Sequence, residues 1–251
     1  VKGFLPLLKK EATEQLRTYK LVIVGGVFLF FGITTPLLLK YMPEILKLAG
    51  EEFSIEFPPP TAIQSLAEYA GTIGQVGLLV AVLMAMGGIS NEMKNGTAIM
   101  TLSKPVSRAA FVGAKFTAMS LNFILSLAAA SVVAFAYTVW LIEGADIAGY
   151  IGLNLLLALF LVFCLAVTLL CSSFFRSSLA AGGVAIALLI SQAAVSAIPV
   201  IGDWAPGKLL GWGTNLLAGK PDAFWGALTV TVVLIAGCLY LAQKILRSKD
   251  L

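Results

Sequence analysis

Six stretches of this chain are apolar for long enough to cross a bilayer, and none contains an Asp, Glu, Lys or Arg. They run Leu21–Leu39, Gly71–Ile89, Phe116–Ile142, Tyr150–Phe175, Leu179–Val200 and Ala223–Gln243. About 20 apolar residues in a helix match the hydrocarbon thickness of a membrane. A charge at the bilayer centre costs roughly 2.5–3.5 kcal/mol on insertion scales. The expected fold is therefore all-α and polytopic, with six transmembrane helices in one domain spanning residues 1–251. Composition agrees, since only 12% of residues are charged and a soluble domain has about 25%.

The charges outside the runs are sorted by side. Segments 1–20, 89–115, the turn at Arg176 and the tail 244–251 hold 13 of the 17 basic residues but only Glu11, Glu14, Glu92 and Asp250 among the 13 acids. The alternate loops hold Lys40, Lys47, Lys208 and Lys220 against nine acids. Cytoplasmic loops carry the excess of Lys and Arg, so both termini and segment 89–115 are expected in the cytoplasm. The net charge of +4 is thus a topology signal and not a nucleic-acid footprint.

The first basic segment leads into an apolar run with no small-residue cleavage site behind it, which reads as an anchor and not a cleavable signal. Within it, Phe4, Leu5, Leu8, Ala12, Leu16 and Tyr19 share one helical face, and Lys10, Thr13, Glu14 and Arg17 lie opposite. This is an amphipathic helix, set in the membrane surface or against a soluble partner. On the other side, Met42-Pro43 opens a short Leu-bearing segment, followed by Glu51, Glu52, Glu56 and the stiff Phe57-Pro58-Pro59-Pro60. Thr61 and Gln64 have capping-box spacing, so the second helix is expected to begin outside the membrane. Segment 198–222, with Pro199, Pro206, Pro221, Trp204 and Trp212, is too broken for a span. It reads as an interfacial or re-entrant piece, or as an ordinary outer loop.

Most catalytic chemistry is excluded. The chain has no His, hence no imidazole metal site or His-based proton relay. Cys164, Cys171 and Cys238 stand alone in apolar helices, as packing residues do. No phosphate loop of the Gly-x-x-x-x-Gly-Lys-Ser/Thr type occurs, so ATP is not expected to bind here by that route. Lacking an intramembrane carboxylate, the chain also lacks the usual handle for ion-coupled transport. Asn122, Asn154 and Gln192 are the polar residues within the spans best suited to line a substrate path. Interhelical hydrogen bonds are the alternative role for each.

The polar island from Ile89 to Lys115 is compact and patterned. Glu92 sits at the end of the second span. Gly96 permits a break, Thr97 can cap a short helix through Ile99, Met100 and Leu102, and Pro105 stops it. Ser107 or a neighbour then starts the helix that runs through Phe111 and Lys115 into the third span. A capped reverse turn would explain each piece singly. A short helix held across two membrane helices would suit force transmission from a soluble partner, with Glu92 and Arg108 as charged anchors.

The pattern Glu92-x-x-x-Gly96-Thr97, then Leu102, then Pro105-Val106-Ser107-Arg108, then Lys115, resembles the type-2 permease subunits of ABC transporters. The layout of nearly the whole chain resembles them too: an amphipathic helix, six spans, both ends inside and a broken segment between spans five and six. The resemblance implies that segment 89–115 holds a coupling helix docking on a separate ATP-hydrolysing subunit, with Glu92, Gly96, Thr97, Leu102, Pro105, Arg108 and Lys115 in that role. It implies a dimer of permease chains with two ATPase subunits, ATP and Mg on the ATPase and no cofactor here, and a bacterial inner or plasma membrane. An exporter of apolar, amphipathic or lipid-like cargo is the expected function. The rivals are a stand-alone secondary transporter or channel, and a non-transporting scaffold that binds an ATPase. The outer loop after the first span is longer and more acidic than a minimal member needs.

Overall fold

The computed structural model describes residues 3–48, 59–97, 106–142, 144, 146–198, 200–220 and 222–249. Among these residues the chain is helical without strands. Helix α1 spans Phe4–Arg17, α2 Lys20–Leu48, α3 Ala62–Ala85, α4 Ser90–Lys94, α5 Arg108–Ile142, α6 Ile147–Phe174, α7 Ser178–Ser196, α8 Lys208–Leu217 and α9 Trp225–Ser248, with a 3₁₀ turn at Gly202–Trp204. Six are long and apolar enough to cross a membrane: α2, α3, α5, α6, α7 and α9.

Side-chain caps set several of the starts. Thr61 accepts the Gln64 N–H at 3.2 Å, and Ser107 accepts that of Ala110 at 3.1 Å. Asp146 takes the N–H groups of Ala148 and Gly149, each an otherwise orphaned donor of the first turn. As expected from Thr61, α3 begins well before Gly71.

The apolar helix α6 is the most buried of the six and forms the centre. Around it the spans close on small residues, as helices in lipid do. A Cβ at Gly77 of α3 would lie 2.7 Å from Leu161 of α6, and one at Gly32 of α2 would lie 3.0 Å from the Ala130 carbonyl oxygen of α5. Between those helices, Phe28 meets Phe123 edge-on with ring centroids 5.7 Å apart.

Two helix boundaries differ from the sequence reading. Helix α2 does not stop near Leu39; it runs through Pro36 and Pro43 to Leu48. Each Pro removes one ladder bond, but the two are seven residues apart and fall on the same side of the helix, so the other side stays continuous. Helix α3 stops at Ala85, and the span continues through a turn and α4 to Lys94. In segment 198–222, the two tryptophans part company. Trp204 is exposed as an interfacial residue is, whereas Trp212 is buried on α8, edge-on to Trp225.

Candidate functional site

At the end of the bundle that holds α1, α4 and the start of α5, charged side chains meet. Lys115 of α5 is only 3% exposed on its side chain, and its Nζ donates to Glu92 Oε1 at 2.7 Å and to Glu11 Oε1 at 2.9 Å. Lys10 stands 3.5 Å from both carboxylates and is half exposed. Glu14, paired with Lys20 at 3.8 Å, brings a third carboxylate within 4.8 Å of the other two, and the three acids and three ammonium groups sum to zero charge, which is why so buried a lysine is tolerated. The Phe111 ring adds a face 5.2 Å from Lys115 Nζ. Glu92 Oε2 is buried and has no partner among the described residues.

The cluster ties three elements together. Glu11 belongs to α1, Glu92 to α4 and Lys115 to α5. One turn further along α1, Asn122 Nδ2 of α5 donates to Gln15 Oε1 at 2.6 Å, and Ser126 donates to Asn122 Oδ1 at 3.3 Å. Helix α1 is thus fixed in register on α5 by an ion pair and an amide pair four residues apart. Its buried stripe is Leu7, Glu11 and Gln15, and Leu5, Ala12 and Leu16 are left exposed on the neighbouring face.

The link from α3 to α4 is built around one hydroxyl. Ser172 of α6, fully buried, accepts the N–H groups of Ile89 at 3.0 Å and Ser90 at 3.1 Å, and donates to the Met86 carbonyl at 2.8 Å. Ser90 Oγ donates to the same carbonyl at 2.8 Å. A hydroxyl has one proton and two acceptor sites, so Ser172 is used to capacity. Gly88 fits in the break because a Cβ there would come within 3.0 Å of Met119. Gly96 follows α4 with φ +70°, a conformation that costs glycine little. A cavity of about 490 Å³ lies beside the cluster, walled by Lys10, Glu14, Asn91, Glu92 and Lys115.

The tail closes on the same end. Lys249 Nζ donates to the carbonyls of Ser173 and Phe174 at 2.9 and 2.8 Å, capping the carboxyl end of α6 where a cation also suits the helix dipole. Partial burial, with Arg176 nearby, moves its pKa below the ordinary lysine value.

Of the residues named from sequence, Glu92 and Lys115 are brought into one ion-pair cluster. Gly96 and Thr97 follow directly, with Thr97 Oγ1 3.4 Å from the Glu92 carbonyl. Arg108 opens α5 and makes no ion pair among the described residues. Leu102 and Pro105 lie outside the described residues, as do Ile99 and Met100. The three intramembrane polar residues do not converge. Asn122 holds α1, Asn154 Nδ2 donates to its own helix at the Tyr150 carbonyl, and Gln192 Nε2 donates to Ser196 Oγ near the far end of α7. Sequence reasoning missed Glu11, Gln15 and Ser172. The four-residue spacing of Leu7, Glu11 and Gln15 was a usable sign of a second, buried stripe; Ser172 carried none.

The family model described as "ABC-2 family transporter protein" matches residues 5–203. A similar protein, "Uncharacterized transmembrane protein YxlG" of Bacillus subtilis (strain 168), is 28% identical over 241 residues, which cover 94% of this chain and 93% of that one.

Proposed function

Since this chain belongs to the ABC-2 transporter family and is a membrane-spanning permease subunit, we propose that it is the export half of a pump driven by a separate ATPase subunit. ATP and Mg bind on that partner. Segment 89–115 is the docking element, with Glu92, Gly96, Thr97, Leu102, Pro105, Arg108 and Lys115 carrying the contact or its anchoring. Both ends of the chain face the cytoplasm, in keeping with the charge asymmetry of the loops, and the membrane is a bacterial inner or plasma membrane.

The observation that carries this reading is the Glu11–Lys115–Glu92 cluster. Anything that pushes on α4 pushes through two short charged hydrogen bonds on α5 and α1 together, so a docked subunit gains a lever on whole helices. Closure of the ATPase pair on ATP would then switch the permease between inward- and outward-open states. A second copy of this chain completes the path. Helix α7 supports that: Ala180, Gly183, Ala187, Ser191 and Ala194 form an exposed strip of small residues, and Gly183 has nothing within 4 Å of its Cβ direction, which lets another helix approach closely. The uncharged spans favour an apolar, amphipathic or lipid-like cargo.

The test is a tagged purification in mild detergent with mass spectrometry of co-purifying chains. A soluble subunit bearing a phosphate loop, lost when residues 92–108 are replaced, is the expected result. Its absence, in a detergent that preserves a known ABC complex from the same membrane, would overturn the reading. In the intact complex, Glu92→Ala is expected to leave ATP hydrolysis running while transport falls. Unchanged coupled transport would remove Glu92 from the pathway.

A further inference from the structure

The cavity beside the charged cluster is graded in polarity along one direction. Leu83 and Met84, in the last turn of α3, and Met119 of α5 line its apolar part. Asn91 and Glu92 of α4, with Asn95 just after it, line its polar part. Because α3 is a span and α4 lies at its end, the apolar part is toward the hydrocarbon and the polar part toward the headgroup layer. Leu83 is 65% exposed, and Leu79, one turn deeper on the same side of α3, is 51% exposed. An apolar track therefore leads out of the cavity into the bilayer. Methionine side chains adapt to the shape of a guest, and a volume of about 490 Å³ is that of a small-molecule pocket.

The charges in the cavity come in both signs and cancel. Lys10, Lys20 and Lys115 line it together with Glu11, Glu14 and Glu92. Lys115 makes the short bonds to Glu11 and Glu92. The other contacts are loose: Lys10 stands 3.5 Å from Glu11 and Glu92, and Lys20 stands 3.8 Å from Glu14, beyond the roughly 2.7–2.9 Å of a charged hydrogen bond. Glu92 Oε2, shielded from water, has no donor among the described residues, a costly state for a buried acceptor. A lone cation or anion in the cavity would tip its balance of charge. A guest with one charge of each sign would not, and an ammonium bearing N–H groups would supply the donors that Glu14 and Glu92 lack.

We propose that the cavity seats a lipid of the adjoining leaflet whose zwitterionic headgroup carries a primary ammonium, as in phosphatidylethanolamine. The ammonium meets Glu14 and Glu92, the phosphate meets Lys10 and Lys20, and an acyl chain leaves along Leu83 and Leu79. The seat rests on the membrane placement of the spans and is independent of any ATPase.

The test is native mass spectrometry of the full chain released from detergent, with phosphatidylethanolamine, phosphatidylcholine and phosphatidylglycerol of identical acyl chains added in equal amounts. One phosphatidylethanolamine retained in preference to both others is expected, because the quaternary ammonium of phosphatidylcholine has no N–H and phosphatidylglycerol has no cation. Glycerophosphoethanolamine, the same headgroup without acyl chains, is expected not to be retained. Glu14→Gln removes a partner of the ammonium and leaves Lys20 unpaired. Retention of phosphatidylethanolamine is then expected to fall about fivefold, the upper worth of an exposed ion pair, while that of phosphatidylglycerol rises. Glu68→Gln makes the same change at an exposed acid near the other end of α3 and is expected to alter nothing. Leu83→Trp, at an exposed position on the cavity wall, is expected to block all three lipids while helix content by circular dichroism stays the same. The proposal is overturned by equal retention of phosphatidylethanolamine and phosphatidylcholine, by a native chain that keeps phosphatidylglycerol best or keeps no lipid, or by a headgroup retained without its chains. A preference that survives Glu14→Gln or is lost in Glu68→Gln, or retention that survives Leu83→Trp, would overturn it equally.

Discussion

The two ends of this bundle are held together by different physics. Around α1, α4 and Lys249 the contacts are directional: an ion-pair cluster, an amide pair, a serine that bridges a helix break, and a lysine on two carbonyls. At the opposite end α3 and α5 share one buried hydroxyl pair, Ser65 with Thr138 at 3.0 Å, and the Tyr150 hydroxyl donates to the Ser131 carbonyl at 2.8 Å. There, however, α8 lies against α6 and α3 with no side-chain hydrogen bond to either among the described residues. A Cβ at Gly213 would come within 2.6 Å of Leu153, one at Gly149 within 2.6 Å of the Leu216 carbonyl oxygen, and Gly74 faces Leu210 at 3.2 Å. Polar contacts can be exchanged one at a time for water or for another partner. Close-packed backbones have no such intermediate arrangement, because interiors are dense and tolerate little change in volume. The charged end is therefore suited to rearrange and the packed end to act as its fulcrum.

The sharpest way to break this contrast is Lys115→Met. It leaves Glu11 and Glu92 facing each other with only the half-exposed Lys10 beside both, and removing one partner from a buried ion cluster costs about 3–5 kcal/mol. A large drop in unfolding midpoint in detergent is expected. Adding Glu11→Gln and Glu92→Gln is expected to recover much of it, since neutral groups need no counter-charge. If the triple variant is as unstable as the single one, the cluster is not held by its charges.

Gly149→Leu probes the fulcrum. Its side chain meets backbone on α8 and not the end of a flexible chain, and overpacking of this kind costs about 1–3 kcal/mol. Loss of α8 protection from a membrane-impermeant thiol reagent, read at a cysteine placed at Leu216, is expected. Unchanged protection would mean that α8 can be moved at little cost and the fulcrum idea fails.

Much of the frame was legible in the sequence because hydrocarbon imposes a simple rule. Charge-free runs must be spans, and the alternation of Lys and Arg follows from their count. Lys115 and Glu92 were visible as charges at the edges of such runs. Their partner Glu11 was hidden by reading α1 as a two-faced helix, when its circumference is divided into a stripe on α5, an apolar edge and a basic edge. The break at Met86–Ile89 was invisible for a different reason: Gly87 and Gly88 continue the apolar pattern of the span, and only Ser172, more than 80 residues away, shows why the helix stops. The burial of Trp212 was not legible because nothing in 198–222 declares that Gly149, Gly152 and Gly213 make room for α8 against α6.

Ser172→Ala tests whether the break is pinned from α6. It strips two buried N–H groups of their acceptor and one carbonyl of a donor, at about 1–3 kcal/mol. The expected signature is local: faster hydrogen exchange at the amides of Ile89 and Ser90, with the amides of α8 unaffected. Equal acceleration at both ends would show that the bundle opens as one unit and that the contrast between its ends is not real.

The smallest effect belongs to Lys10→Ala. Lys10 is near the same two carboxylates as Lys115, but at 3.5 Å and with its side chain half in solvent, where an ion pair is worth about 0–1 kcal/mol. A shift in unfolding midpoint several-fold smaller than that of Lys115→Met is expected, and it should shrink further as salt is raised, because exposed pairs are screened and buried ones much less so. Should Lys10→Ala prove as damaging as Lys115→Met, the neutrality of the whole cluster, and not the two short bonds to Lys115, is what holds α1, α4 and α5 together.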